Sequence, residues 1–369
     1  MASRGQAIGV AAEALPRPGA AGRVRGLAAL RDRPRLLLGV GLACLAVSLV
    51  LGVGLGSVAI DPTDTVGILA RRLLGLPVPA TWPATAETIV LELRLPRVLT
   101  AMLVGLGLSV AGATFQGLLR NPLADPYVLG TASGAAFGAA IAVLLPVQVA
   151  ILDFGLLHGL AFAGALLAVL VVVRLGRTSP LAPLTGLLLT GYAVGSLLAA
   201  GLAMTMYLSG ANLRQIVSFL LGGFDAASWP RLASAAPLVL LASGAVLLRA
   251  RVLNGLLLGE ETAAHLGVDV DRERTILLAL ASLATAAAVA VSGLVGFVGL
   301  VVPHLVRLVV GPDARRVLPL SAIFGASLLA LADLLARLGG EIPVGVVTAL
   351  VGAPFFLALL RRTRAGYEL

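Results

Sequence analysis

The sequence contains no lysine, and all 27 of its basic residues are arginine. The phosphate-binding loop of P-loop ATPases follows the pattern GxxxxGK[ST], in which the lysine reaches the nucleotide phosphates. The chain therefore cannot bind ATP through such a loop, and an ATP-driven activity requires a separate subunit. Cysteine is nearly absent too: Cys44 stands alone, so it forms no intrachain disulfide and cannot by itself build a metal site.

Charged residues are scarce, making up 12% of the 369 residues, whereas 59% are hydrophobic and the mean hydropathy is +1.03. A soluble domain of this composition cannot cover its apolar surface with polar side chains. The surrounding solvent must therefore be lipid. Strand-like alternation is missing, so the expected fold class is an all-α membrane protein.

Signatures of intramembrane enzymes are missing as well. The zinc-protease pattern HExxH does not occur, and the serine-protease-like GTASG at 130–134 has its glycine one place too early and no paired histidine. His158, His265 and His304 are scattered without the spacing of metal ligands. We therefore expect no catalytic residue, no metal and no cofactor.

Ten apolar ranges are present, and most approach the roughly 20 residues that a helix needs to cross the membrane. They are 36–58, 97–118, 127–146, 155–173, 181–208, 232–248, 275–294, 296–310, 318–336 and 342–360. With the N-terminus in the cytoplasm, 20 of the 27 arginines fall on the cytoplasmic side. This bias predicts about ten transmembrane helices with both termini inside.

The chain carries a net charge of +9. Its arginines lie between the apolar ranges and do not line one polar face, so membrane topology explains this charge better than nucleic-acid binding does. We expect no nucleic-acid partner. Residues 1–35, rich in arginine, glycine and proline, are expected to be a disordered cytoplasmic tail, because the apolar run that follows is longer than a signal-peptide core. Residues 36–369 form the polytopic membrane domain.

Small residues recur at helical spacing, as at Gly134 and Gly138. Such spacing predicts close helix packing in a membrane, although an alanine-rich composition explains any single pair equally well.

Four stretches carry family motifs in a fixed order. They are RLPRVLTAMLVGLGLSVAGATFQGLLRNPLADPYVLG from residue 94, GLVGFVGLVVPHLVRLVVGPDARRVLP from residue 293, ADLLAR at 332–337 and EIPVGVVTALVGAPFFLALL at 341–360. From about residue 36 to the C-terminus, the chain resembles the FecCD-type permease subunits of binding-protein-dependent ABC importers for iron-siderophores, haem and cobalamin.

The resemblance implies an assembly in the plasma or inner membrane of a prokaryote. Two copies of the chain would associate with two ATP-binding cassette subunits and one extracytoplasmic substrate-binding protein. Residues 181–208 and the following 209–224 are candidates for lining the pathway. The expected cargo is a ferric siderophore, the family's commonest chelate, with cobalamin or haem as alternatives. An ion-coupled secondary transporter is the rival class, but the middles of the ranges carry almost no charge for ion coupling.

The resemblance also assigns docking of the binding protein to Arg94, Arg97 and Arg337. On the residues alone, Arg94 and Arg97 fit interface anchors, whose charged ends extend from an apolar helix into water. Arg337 lies four residues after Asp333, so an intrahelical ion pair is the rival interpretation.

Coupling to the ATPase is implied for the polar loop 249–274. The residues that match the family's coupling segment are Gly259, Glu260, Ala263, Leu266 and Gly267, and Ala263 and Leu266 are expected to share one helix face. Without the resemblance, a solvated connector is the simpler interpretation.

Asn121, Pro122, Asp125 and Pro126 predict a tight cytoplasmic turn with a structural role. Asn and Asp favour local hydrogen bonds to the backbone, and proline stops a helix.

Overall fold

The computed structural model describes residues 33–56, 58–73, 75–145, 150–151, 154–177 and 183–364. In chain order, the helices of these residues are α1 (Pro34–Gly54), α2 (Pro62–Leu73), α3 (Ala84–Thr88), α4 (Leu95–Leu118), α5 (Thr131–Leu144), α6 (Leu156–Arg177), α7 (Pro183–Leu208), α8 (Leu213–Leu221), α9 (Trp229–Leu248), α10 (Ala250–Leu257), α11 (Glu260–His265), α12 (Val270–Ser292), α13 (Val298–Val310), α14 (Ala314–Leu338) and α15 (Val344–Arg364). A π-helical segment, Ile89–Arg94, joins α3 to α4, and a 3-10 turn, Gly210–Asn212, precedes α8. Two short strands, β1 (Ala150–Ile151) and β2 (Phe154–Gly155), pair antiparallel.

Each of the ten apolar ranges coincides with a helix, which confirms the all-helical expectation for the described residues. Seven helices are long and apolar enough to cross a membrane, judged by length and composition. The remaining three ranges hold the shorter apolar helices Thr131–Leu144, Val298–Val310 and Val344–Ala358. The number of crossings and the orientation stay predictions. The predicted tail lies outside the described residues, apart from residues 33–35.

Two aspartates define where helices begin near the polar loops. Asp269 accepts a hydrogen bond from the Arg272 amide (3.1 Å) before α12, and Asp313 accepts one from the Arg315 amide (3.0 Å) before α14. Each carboxylate thereby satisfies one of the unpaired amides in the first helical turn.

Helix α4 lies at the centre of the bundle and is buried over almost its whole length. It packs against α9, α12, α13 and α14. A Cβ added at Gly112 would lie 1.7 Å from the Gly299 carbonyl oxygen of α13, and one at Gly105 would lie 2.2 Å from the Gly325 carbonyl oxygen of α14. The helices approach this closely because no side chain separates their backbones.

A second group consists of α5, α6 and α7, which pack against one another beside α12. Here the predicted close approach at Gly134 is confirmed, because an added Cβ would lie 2.3 Å from the Gly164 carbonyl oxygen of α6.

The length of α4 separates two polar ends of the bundle. Its 24 residues span about 36 Å at 1.5 Å per residue. Arg97 lies in its first turn, and the 121–126 turn follows its last. We call these the arginine end and the loop end.

Candidate functional site

Arg94 is buried at the arginine end and serves as a cap for another helix. Its Nη1 donates to the carbonyl oxygens of Val53 (3.2 Å) and Gly54 (2.9 Å), and its Nη2 donates to that of Val58. These carbonyls lie at or just after the C-terminus of α1, where the last turn of a helix leaves its acceptors unpaired. The positive charge also opposes the negative end of the α1 dipole.

Arg337 completes this cap by binding two further carbonyl oxygens at the end of α1. Its Nη2 donates to the Gly52 carbonyl oxygen (2.7 Å) and its Nη1 to that of Leu55 (3.0 Å). Its Nε donates to Asp333 Oδ2 (3.1 Å). The intrahelical pair with Asp333 is thus present, and both Arg94 and Arg337 have their guanidinium groups turned into the protein.

Asp333 is fully buried and joins two arginines. Its Oδ1 accepts from Arg97 Nε at 2.9 Å, while its Oδ2 accepts from Arg337. A buried carboxylate requires such partners, because an uncompensated charge in a low-dielectric interior is costly. We call Arg94, Arg97, Asp333 and Arg337 the arginine cluster.

Arg97 connects the arginine cluster to the surface. Its Nη2 lies 3.1 Å from Asp225 Oδ1, and its Nη1 lies 3.2 Å from Glu341 Oε2. The Asp225 and Glu341 side chains are 68% and 46% exposed, in contrast to the buried Asp333. One guanidinium therefore bridges the connection after α8, the end of α14 and the connection before α15.

The sequence motifs assigned no role to Asp225 and Glu341. Glu341 begins the quoted EIPVG stretch and adopts a left-handed backbone with φ of +59°. This conformation is uncommon for residues other than glycine, Asn and Asp. The sequence alone gives no sign of it, so the unusual backbone at Glu341 is visible only in the structure.

The predicted turn at the loop end is closed by its own side chains. Asn121 Oδ1 accepts from the Leu123 amide (2.9 Å), and Asp125 Oδ1 accepts from the Tyr127 amide (2.8 Å). Burial raises the pKa of the Asp125 carboxyl, and the bond from the Tyr127 amide opposes that rise.

Pro126 and Tyr127 attach this turn to the α12–α13 connection. The Tyr127 hydroxyl donates to the Val295 carbonyl oxygen (2.8 Å). A Cβ added at Gly299 would lie 2.4 Å from Pro126 Cγ. Pro122 lies within the same turn. The contacts of this turn hold the chain in place between helices, as expected for a structural role.

The polar loop 249–274 contains α10, α11 and the start of α12. Helix α11 lies between Gly259 and Gly267, whose φ angles of +122° and +81° favour glycine. Arg274 pairs with Glu260, and Arg249 Nε lies 3.3 Å from Glu273 Oε2. These pairs fold the loop back onto the beginning of α12.

The expectation that Ala263 and Leu266 share one face is wrong. Ala263 is fully buried within the core, whereas Leu266 is 65% exposed. Helix α11 has only six residues and ends at His265. Ala263 faces the core, whereas Leu266 lies in the turn after the helix and faces outward.

Residues 209–224, a candidate lining of the pathway, contain the amphipathic helix α8. A cleft of about 260 Å³ lies between α8 and α9 at the arginine end, and Gln215, Ser218, Asp225 and Arg231 are among its lining residues. The preceding α7 exposes Tyr192 and Tyr207 strongly.

Comparison with known proteins gives consistent results. A model of the FecCD transport family matches residues 44–362. The chain is 46% identical over 280 residues to the cobalamin import system permease protein BtuC of Halobacterium salinarum, covering 76% of this chain and 75% of that protein. It is 42% identical over 279 residues to the hemin transport system permease protein HmuU of Yersinia pestis, covering 74% of this chain and 83% of that protein.

One solved structure is similar over most of the fold. It is described as a metal-chelate type ABC transporter in an inward-facing conformation. The similarity has a TM-score of 0.77 at 31% identity and covers 89% of this chain and 99% of that chain.

Proposed function

The chain belongs to the FecCD transport family, and on that premise we propose that it is the permease subunit of an ABC importer that carries a large metal chelate into a prokaryotic cell. The observation that carries this proposal is the 46% identity over 280 residues to a cobalamin import permease. We propose that a separate pair of subunits hydrolyses ATP, because this chain has no lysine and cannot form the phosphate-binding loop itself.

For the cargo, the two named relatives favour a metal tetrapyrrole over the ferric siderophore expected from the sequence. One is named for cobalamin and the other for hemin, both of which hold their metal in a macrocycle. We propose cobalamin or haem as the first candidates, with a ferric siderophore as the alternative.

The cargo is tested by uptake into vesicles that contain the permease with its ATPase subunits and binding protein. Cyanocobalamin, haemin and a ferric hydroxamate siderophore are supplied separately at equal concentration. We expect ATP-dependent accumulation of a tetrapyrrole, and accumulation of the siderophore alone would reverse the order of the candidates.

We propose ten crossings with both termini in the cytoplasm, which places the arginine end outside. Cysteines introduced at Asp225 and Glu261 in a Cys44→Ser background test the orientation. Both side chains are exposed in the structure. A membrane-impermeant thiol reagent should label only the first from outside intact cells, and labelling of the second instead would invert the topology.

Docking of the binding protein is proposed at the arginine end, with Arg97 as the arginine that contacts it. Arg94 and Arg337 contribute indirectly, because they hold the C-terminus of α1 in place. Two of the three carboxylates around Arg97 are exposed, so an acidic residue of a partner can replace them. Such pairs determine orientation and encounter rate more than affinity.

The structure changes how docking is tested. Reversing the charge of Arg94 would direct a carboxylate at backbone carbonyls and damage the fold. Arg97→Gln alone is the sharper variant. We expect slower association and weaker capture of the loaded binding protein with normal membrane insertion, and an unchanged association rate would contradict docking through Arg97.

Coupling to the ATPase is proposed at the loop end, through the exposed side of α11. Gly259 and Gly267 set the two bends, and Glu260 holds the segment against α12 through Arg274. Ala263 anchors the segment inward, which leaves Leu266, together with the equally exposed Leu258, available to an ATPase groove. A small apolar face buries modest area that can shift during turnover.

A second copy of the chain is proposed to pack so that the pathway runs between the two copies. The support is the exposed face of α7, where Tyr192, Leu197 and Tyr207 project without cover from the rest of the described chain. Cysteine pairs across this face should cross-link in the assembled importer. A monomeric permease in the purified complex would contradict the arrangement.

A further inference from the structure

Arg120 occupies a backbone position where glycine is the usual residue. Helix α4 ends in a Schellman motif: the Asn121 amide donates to the Gln116 carbonyl oxygen (3.1 Å), and the Arg120 amide donates to that of Gly117 (3.2 Å). Arg120 is the left-handed residue of this motif, with φ of +47°. A side chain there costs conformational energy that glycine avoids.

The side chain at this position has a specific partner. Arg120 Nη2 and Nε both donate to the Leu256 carbonyl oxygen, at 2.9 and 3.2 Å. Leu256 lies in the last turn of α10, where a cation is favourable. Its carbonyl oxygen also accepts from the Gly259 amide (3.3 Å), so Arg120 bonds to the same oxygen as the residue that begins the next bend. Three residues later, Gly259 begins the bend into α11.

Helix α10 is also fixed to α14 on its other side. Asn254 Nδ2 donates to Asp313 Oδ1 (2.7 Å), and its Oδ1 accepts from the Ala314 amide (2.7 Å). Because α4 and α14 already meet through Arg97 and Asp333 at the arginine end, α10 joins the same two helices at the loop end.

We propose that Arg120 is a positioning residue that clamps the end of α10 to α4 and so fixes the direction in which α11 leaves the bundle. This rests on the proposed function, in which α11 receives the movement of the ATPase. Without the clamp, α11 remains attached by its chain, by Arg274 and by the buried Ala263, but its position relative to α4 becomes loose.

The test uses the reconstituted importer and three variants. Arg120→Gly keeps the left-handed backbone and removes the guanidinium. Arg120→Lys keeps the charge but not the two-donor fork. Arg251→Ala is the matched control, because Arg251 is an exposed arginine of α10 for which the described residues show no hydrogen bond or ion pair.

Two readouts separate positioning from general stability. The first is the number of substrate molecules imported per ATP hydrolysed. The second is the distance distribution between spin labels at Glu261→Cys and Leu123→Cys in a Cys44→Ser background, which reports on α11 relative to the end of α4, where Leu123 is exposed.

For Arg120→Gly we expect about tenfold less import per ATP, the effect of losing the charge-assisted contact of both donors with Leu256, together with a broader distance distribution. Arg120→Lys should give an intermediate effect and replaces the glycine variant if that variant does not assemble. Arg251→Ala should match the wild type.

An unchanged distance distribution in Arg120→Gly overturns the proposal, whatever happens to transport. An unchanged import-to-hydrolysis ratio overturns it as well. If the wild-type importer shows no ATP-dependent uptake, the proposed function fails, and the spin-label distances still decide whether Arg120 holds α11.

Discussion

The two ends of α4 both carry many charged residues, but they use them differently. At the arginine end, Arg94, Arg337 and Asp333 are buried and bond to one another or to the carbonyls of α1. At the loop end, the pairs formed by Arg274 and Arg249 close over exposed segments. The first arrangement fixes helices, whereas the second leaves charges and the leucines Leu258 and Leu266 at the surface.

This difference follows from the cost of removing charge from water. A buried ion requires several well-placed partners, so deleting one partner strands the others. An exposed pair gains little, because water already solvates both groups. We therefore expect a gradient: substitutions of the buried residues at the arginine end mainly alter stability, whereas substitutions of exposed residues at either end mainly alter function.

The largest effect is expected for Asp333→Ala. The variant leaves Arg97 and Arg337 without their shared buried carboxylate, which should lower the free energy of unfolding by about 3–5 kcal/mol. Equilibrium unfolding in mixed detergent micelles measures this. Asp271→Ala is the control, because its side chain is 97% exposed. Equal losses of unfolding free energy in the two variants would contradict the expected difference between buried and exposed charges.

The next effect concerns the helix that joins the ends. Gly112→Ala places a methyl group against the Gly299 backbone, where the added Cβ would be 1.7 Å from the carbonyl oxygen. Forcing the helices apart should cost about 3 kcal/mol, the upper part of the range for overpacking. Gly244→Ala, with open space around the added carbon, should be neutral in the same unfolding assay. A neutral Gly112→Ala would show that α4 is not tightly held.

The sequence predicted the helices well because each apolar range indicates a helix in lipid by its own composition. No information from other parts of the chain is needed for that prediction. It also found the Asp333 and Arg337 pair, since the two residues are four apart on one helix. It missed the capping of α1, because Arg337 reaches carbonyls 282 and 285 positions away. Periodicity failed at Ala263, since a six-residue helix is too short for a face to be read from spacing.

A smaller effect on stability is expected for the double variant Asp225→Asn, Glu341→Gln. Arg97 retains Asp333, and exposed pairs contribute less than about 1 kcal/mol, so unfolding should change little. Docking should respond instead. Removing two competing carboxylates makes the arginine end more positive, so the affinity for the binding protein should rise, as surface plasmon resonance on the importer in nanodiscs can measure. A fall in affinity would mean that these carboxylates contact the partner themselves.

The smallest effect on stability is expected for Leu266→Glu. This side chain is largely exposed, so the free energy of unfolding should stay within about 0.5 kcal/mol of the wild type. Stimulation of ATP hydrolysis by the loaded binding protein should nevertheless be lost, because a charge replaces the apolar side chain offered to the ATPase. Asp271→Asn serves as the matched surface control. Normal stimulation in Leu266→Glu would place the coupling contact elsewhere.

We propose that this chain moves its cargo only with energy supplied by a partner ATPase. The most direct measurement is uptake into vesicles that contain the permease with its ATPase subunits, the binding protein and the cargo, with and without a protonophore and a sodium ionophore. We predict uptake that requires ATP and persists when both ionophores have collapsed the ion gradients. Uptake that proceeds without ATP and stops with either ionophore would contradict the account and identify an ion-coupled transporter.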